Sequence, residues 1–167
     1  MESSEEIEKI LPAFAQYYTV KKEDDLSDSP FCAEAEFRSH NEQYFLVRSA
    51  HIADIDSNEF VYFAKCQELT LQKLAELSEK AWLMGLEKVH PYNGHRNSDV
   101  VLLIFTDSLL EESARAIKKT KFYKSYKFSF YGWSNFKLAV CDLSTLELYS
   151  NRQGKDFAKL IEKNLLG

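Results

Sequence analysis

No stretch of this chain approaches the ~20 consecutive apolar residues that a membrane-spanning helix needs. Its first ten residues, MESSEEIEKI, are acidic where a secretory signal is basic and then apolar. Cysteine is scarce: Cys32, Cys66 and Cys141 are odd in number, far apart and free of any CxxC spacing. That pattern argues against a disulfide framework or a structural zinc site and for a reducing compartment, the cytoplasm. With 5 Gly and 3 Pro in 167 residues, there is little material for long irregular linkers. GxSxG, HExxH and GxGxxG are all missing, so no catalytic residue is assigned and no cofactor is expected.

What the chain does have is aromatic carbon. Twelve Phe and nine Tyr bring the aromatic share to 14%, and such rings favour pleated, half-buried strands. The length suits one domain spanning 1–167, with 1–30 as an N-terminal helix and a polar connector. Net charge is −5, but the signs are segregated. Residues 1–30 hold eight acids and three bases, 31–100 eleven and seven, and 101–167 seven and eleven. An acidic front and a basic back steer an anionic partner to one side.

Periodicity orders the elements. Ile7, Ile10, Leu11 and Phe14 form one helical stripe, interrupted by Pro12. Lys21–Pro30 reads as a connector. Ala33–Arg38, Gln43–Ile52 and Glu59–Cys66 alternate with period two and read as a meander of three strands. Leu71, Leu74, Leu77, Ala81 and Met84 mark a helix over about 69–84, with Gly85 near its end. Val100–Phe105 is apolar on both faces, the mark of a central strand. A helix follows over about 109–119, after the capping-box spacing of Ser108 and Glu111. Lys121–Tyr131, Phe136–Asp142 and Leu146–Ser150 are three more strands, and Phe157, Leu160, Ile161 and Leu165 close the chain as a helix. The expected class is α+β, a mixed and mainly antiparallel sheet with helices packed on it, in the order α-βββ-α-β-α-βββ-α.

Four constellations carry chemistry. ARAIKKTKFYKSYKF interleaves Arg115, Lys118, Lys119, Lys121, Lys124 and Lys127 with Phe122, Tyr123, Tyr126 and Phe128. Lysines neutralise phosphates while aromatic faces stack on bases; alternation equally sends Phe122, Tyr126, Phe128 and Phe130 to a core and the lysines to water. Glu34, Glu36 and Glu59 with Lys65 suggest a metal-dependent nuclease or phosphodiesterase. Yet Phe63 stands where such sites carry an acid two residues before the lysine. His90 and His95 flank PYNG without a third ligand, which leaves His95 and Arg96 as loop groups for a pocket. NRQGK places Arg152 and Lys155 at a helix start, where backbone N–H groups accept anions, but the phosphate-loop pattern around it is absent. YGWSNF, residues 131–136, reads as a tight hairpin turn on Gly132, with Lys127 and Lys137 neighbours on the surface. Trp133 serves there either as a packing lid or as a ligand-stacking ring.

HNEQYFLV, SNEFVYF, GHRNSDVVL, YKFSFYGW and LYSNRQGK together resemble a family of small uncharacterised proteins from anaerobic bacteria. The resemblance runs from about residue 32 to the end. It implies a bacterial cytoplasmic protein and brings no activity, cofactor or catalytic residue with it.

The leading expectation is a non-enzymatic binding or interaction protein, a homodimer off the membrane. It meets an anionic small molecule or nucleic acid through Lys124, Lys127, Trp133, Arg152 and Lys155, with His95 and Arg96 in reserve and no metal ligand assigned. The metal-dependent phosphodiesterase or nuclease is the rival.

Overall fold

The structure, a computed structural model, describes residues 2–22, 29–38, 57–90, 97–128 and 131–167. In chain order the helices are α1 (Glu2–Ile10), α2 (Pro12–Ala15), α3 (Leu71–Glu87), α4 (Glu111–Lys119) and α5 (Lys155–Ile161). The strands are β1 (Thr19–Lys22), β2 (Ala33–Arg38), β3 (Ser57–Leu69), β4 (Asn97–Leu109), β5 (Tyr123–Ser125), β6 (Trp133–Asp142) and β7 (Glu147–Ser150). They form one sheet in the order β1-β2-β3-β4-β6-β5, with β7 also beside β6.

Residues Ser98 to Thr106 of β4 are buried without exception, as a run that is apolar on both faces requires. Its neighbours β3 and β6 both run parallel to it. Parallel neighbours cannot be joined by a tight turn, so each connection carries a crossover helix, α3 and then α4. Even-numbered side chains, among them Tyr62, Val100, Leu102 and Leu138, meet these two helices at Leu74, Leu77, Ala81 and Ile117. Odd-numbered ones, among them Phe63, Val101, Leu103 and Ala139, meet α1, α2 and α5 at Ile7, Ile10, Phe14, Phe157 and Ile161. The helices thus cover both faces of the sheet.

The expected α+β class, with a mixed and mainly antiparallel sheet, is the one found: β1–β2, β2–β3, β5–β6 and β6–β7 are antiparallel. The stripe of α1 breaks at Leu11, just before Pro12, as its ring demands. Several elements depart from expectation. Thr19–Lys22 is a strand whose second half, Lys21 and Lys22, falls in the expected connector; two lysines on a short edge strand hide it in a polar run and protect the edge. The expected strand Gln43–Ile52 lies outside the described residues, and β2 has β1 and β3 as its neighbours, so nothing intervenes between the outer strands of the supposed meander. Ser108 caps nothing: β4 runs on through Leu109, and α4 starts after Leu110 with no side-chain cap. Among the described residues of the run Lys121–Tyr131, three are strand.

The outer edge of β6 is divided. β5 pairs with Trp133–Asn135 and β7 with Ala139–Asp142. Asn151 fills the interval with its own amide. Its Oδ1 accepts from the Leu138 N–H at 3.0 Å and the Gly154 N–H at 2.8 Å, while Nδ2 donates to the carbonyls of Phe136 at 2.9 Å and Thr120 at 3.1 Å. Gly154 follows so closely on β6 that a Cβ there would lie 2.2 Å from the Leu138 carbonyl oxygen. NRQGK is therefore a strand-edge clamp leading into a helix. Asn151→Ala removes four hydrogen bonds to backbone groups, and unfolding in urea should show a loss of about 2–4 kcal/mol. Asn151→Asp, which turns an acceptor toward two carbonyls, should cost more than Asn151→Ala at neutral pH; an equal or smaller loss would show that the amide's donor is not needed.

Candidate functional site

At the amino ends of the three parallel strands lies a buried charge network. Lys137 of β6 reaches under α5 and places Nζ 2.9 Å from Glu59 Oε2 on β3 and 3.1 Å from Asp99 Oδ2 on β4. Tyr18 donates its hydroxyl to Glu59 Oε1. Asp99 also accepts from Asn97 Nδ2 at 2.9 Å and from the Asn135 N–H at 3.2 Å. Burial alone would lower the Lys137 pKa, but the Glu59 and Asp99 carboxylates overcome it and hold the ammonium above the ordinary lysine value. Burial pushes the Asp99 carboxyl up, opposed by Lys137 and reinforced by Glu59. A lysine held protonated in this way is neither a base nor a nucleophile. A cavity of about 170 Å³ beside it is lined by Tyr18, Glu59, Lys137, Asp156, Phe157 and Leu160.

This network corrects one expectation and separates the groups of another. Lys137 does not stand free on the surface beside Lys127; half-buried, it is the cation of the network. Glu34 lies opposite Tyr62 and Glu36 opposite Phe60, on the face of α3, whereas Glu59 lies opposite Phe37 on the other face. Glu34 is paired with Lys88 at 3.1 Å, and Glu36 with Arg38. Lys65 stands six residues from Glu59 along β3, about 20 Å at strand spacing. These carboxylates do not converge on a shared cation.

The basic segment is arranged as a hairpin. β5 pairs with the start of β6, Lys124 opposite Ser134 and Ser125 opposite Trp133. The turn falls between Ser125 and Trp133, earlier in the chain than the expected 131–136. It is closed by Tyr126 N–H donating to the Gly132 carbonyl at 2.9 Å and Tyr131 N–H to the Tyr126 carbonyl at 3.1 Å. Gly132 has φ 88°, the positive value expected of it, while Trp133, Ser134 and Asn135 are strand residues. Phe122 and Tyr126 pack on the core, and Tyr126 shares a 2.9 Å hydrogen bond with Ser134. Phe128 does the opposite. It is 96% exposed, and both it and Lys127 hold left-handed backbone, with φ 53° and 51°. Such a conformation costs roughly 1–2 kcal/mol in a residue with a Cβ. Tyr123, at the start of β5, is 53% exposed. Lys124 and Lys127 sit 5.6 Å and 5.8 Å from the ring centres of Tyr126 and Tyr131. From Ser113 to Cys141 the chain carries seven basic residues and no acid.

The other expected site residues are dispersed. Trp133 is half-buried at the start of β6, between Ser125 and Asn97. Arg152 and Lys155 are exposed, but Asn151 docks at Leu138, four residues and about 13 Å along β6 from the partner of Lys124. They form a station separate from the hairpin. His95 and Arg96 lie outside the described residues. Among the described residues, no three His, Cys, Asp or Glu side chains are grouped to hold a metal ion.

Fold and surface define an α+β domain with a helix-covered mixed sheet and a basic, aromatic hairpin. The chain belongs to the family described as a domain of unknown function (DUF8052), whose model matches residues 2–163. No curated protein and no solved structure matches it.

The grouping of Glu59, Asp99 and Lys137 went unrecognised in the sequence because they are scattered along the chain, Glu59 and Lys137 by 78 positions. The signal was a lone charge inside an apolar strand: NEFV at 58–61, SDVV at 98–101 and FKLA at 136–139. Lys137→Met leaves two buried carboxylates facing each other, and the expected loss is about 3–5 kcal/mol at neutral pH. In the native chain the raised pKa keeps the lysine's contribution complete below the ordinary lysine value; it is lost as pH rises through the folded one. In Lys137→Met the sign reverses. Carboxyls with raised folded pKa stabilise at low pH and lose that as pH rises, so unfolding curves from about pH 8 to about pH 5 should recover part of the deficit. A deficit that does not shrink on acidification would mean the lysine acts by packing alone.

Proposed function

We propose that this is a non-enzymatic binding protein of the bacterial cytoplasm, which meets single-stranded nucleic acid through the β5–β6 hairpin. One observation carries the reading: Phe128, a large apolar ring, stands almost wholly in solvent on strained left-handed backbone. Strain and exposure together lower stability, and both persist where a binding surface benefits from a presented ring. A base stacks on Phe128 and on the exposed Tyr123, while Lys124 and Lys127 neutralise the flanking phosphates. The uninterrupted basic stretch from 113 to 141 supplies the wider field.

Cytoplasmic placement is supported by the scarcity of cysteine, three in number and far apart in the chain. Among the described residues, no helix is long and apolar enough to cross a membrane. The proposal takes the single chain as the binding unit; the expected homodimer has no structural observation behind it.

Anisotropy of a fluorescent oligothymidylate tests the reading at about 50 mM and about 200 mM salt, with affinity falling steeply between them. Phe128→Ala should weaken binding about 5- to 150-fold, the usual range for one lost stacking ring. Phe128→Gly should do the same while leaving the melting temperature unchanged or higher, because glycine relieves the left-handed backbone. Lys124→Ala and Lys127→Ala should each flatten the salt dependence by about 0.7 in log–log slope. Binding indifferent to salt, or undiminished in Phe128→Ala, refutes it.

A further inference from the structure

The helical layer over the even-numbered face leaves a groove. It lies between α3 and α4, has a volume of about 600 Å³, and is lined chiefly by Leu71, Leu74, Trp82, Leu83, Ala116 and Phe122. That volume falls within the range of small-molecule sites, about 300–1,000 Å³. One wall is rigid: Trp82 stacks on Phe122 with ring centres 5.6 Å apart and meets Phe136 edge-on at 6.1 Å. The rim is apolar and open, with Leu83 51% exposed and Leu71 43%.

Two polar features give the groove a direction. Ser78 lines it while only 2% exposed, and its hydroxyl has no hydrogen-bond partner. A buried donor left unpaired is costly, and an oxygen supplied by a ligand would complete it. Lys121, also in the lining, follows α4 within the acid-free run 113–141. Among the described residues, it forms no ion pair. The α3 side contributes one carboxylate, Glu79, so the positive end of the groove is at Lys121.

We propose that this groove binds an anionic amphiphile with a single aliphatic tail, an acyl carboxylate in chemical class. The tail lies along Leu71, Leu83 and the Trp82–Phe122 wall, the head meets the Lys121 ammonium, and the Ser78 hydroxyl donates to a ligand oxygen. The site is separate from the hairpin and does not depend on nucleic-acid binding there.

Dodecanoate, below its micelle concentration, is the probe. In a Trp133→Phe background Trp82 is the remaining tryptophan, and its emission should change saturably, with half-saturation on the order of 100 µM for a ligand of this size. Lys121→Glu should weaken dodecanoate at least tenfold and favour dodecyltrimethylammonium instead. Ala75→Trp, at an exposed position of α3 that lines the groove, should fill it and abolish binding with the melting temperature unchanged. Ser78→Ala should lower affinity severalfold without loss of stability, and Phe128→Ala should leave dodecanoate affinity as it is. A native chain with no saturable response overturns the proposal. So does binding that survives Ala75→Trp, or tighter binding of the cationic amphiphile by the native chain.

Discussion

Burial of β4 on both faces is the constraint from which the rest of this architecture follows. A strand with nothing but buried side chains from Ser98 to Thr106 has to sit between two others and beneath two layers of helix. Making both neighbours parallel meets the first need and forces the crossovers that meet half of the second. The termini supply the other half, α1 and α2 from one end of the chain and α5 from the other. Near the amino ends of the three parallel strands charge enters this interior as a closed set. One ammonium answers two carboxylates, and tyrosine, asparagine and backbone donors take up remaining oxygens. A partly satisfied set at that depth would be worse than none.

The hairpin lies outside this economy. It has a fully presented phenylalanine, left-handed backbone at two consecutive side-chain-bearing residues, and a surrounding sequence without a single carboxylate. Local rules of folding are broken there while the sheet next to it obeys them. Such conflicts between levels are where function is sought. The alternation that sends Phe122 and Tyr126 inward cannot continue to Phe128, because the strand ends at Ser125 and the chain turns.

How much was legible in the sequence follows from the range of each interaction. Periodicity marked α3, α5 and the central strand, because Leu74, Leu77 and Ala81, or Val100 to Phe105, report on their own neighbours. Pro12 marked its helix break for the same reason. β1 was missed since Thr19–Lys22 is an edge, and an edge strand need not be apolar. Parallel pairing was missed because direction is set by the crossovers and not by any residue within β3, β4 or β6. The Glu59–Asp99–Lys137 network needs that parallel register before its members meet. The groove between α3 and α4 depends on how two helices sit side by side, which no stripe encodes. The hairpin was legible in kind and misplaced by several residues, since Gly132 closes the turn where it was expected to open it.

The divided edge of β6 has a bearing on motion. Because Asn151 secures the strand at Phe136 and Leu138, the three residue pairs that hold β5 are insulated from the four that hold β7. The hairpin is thus a local opening unit of its own: it unzips as far as Asn135 without disturbing the β6–β7 ladder or the helix behind it. Amide protons of β5 would exchange with solvent through this small excursion, whereas those of β4 would wait for the whole domain to unfold. On the proposed reading, a surface that can loosen without loosening the fold can mould itself to an irregular strand of nucleic acid.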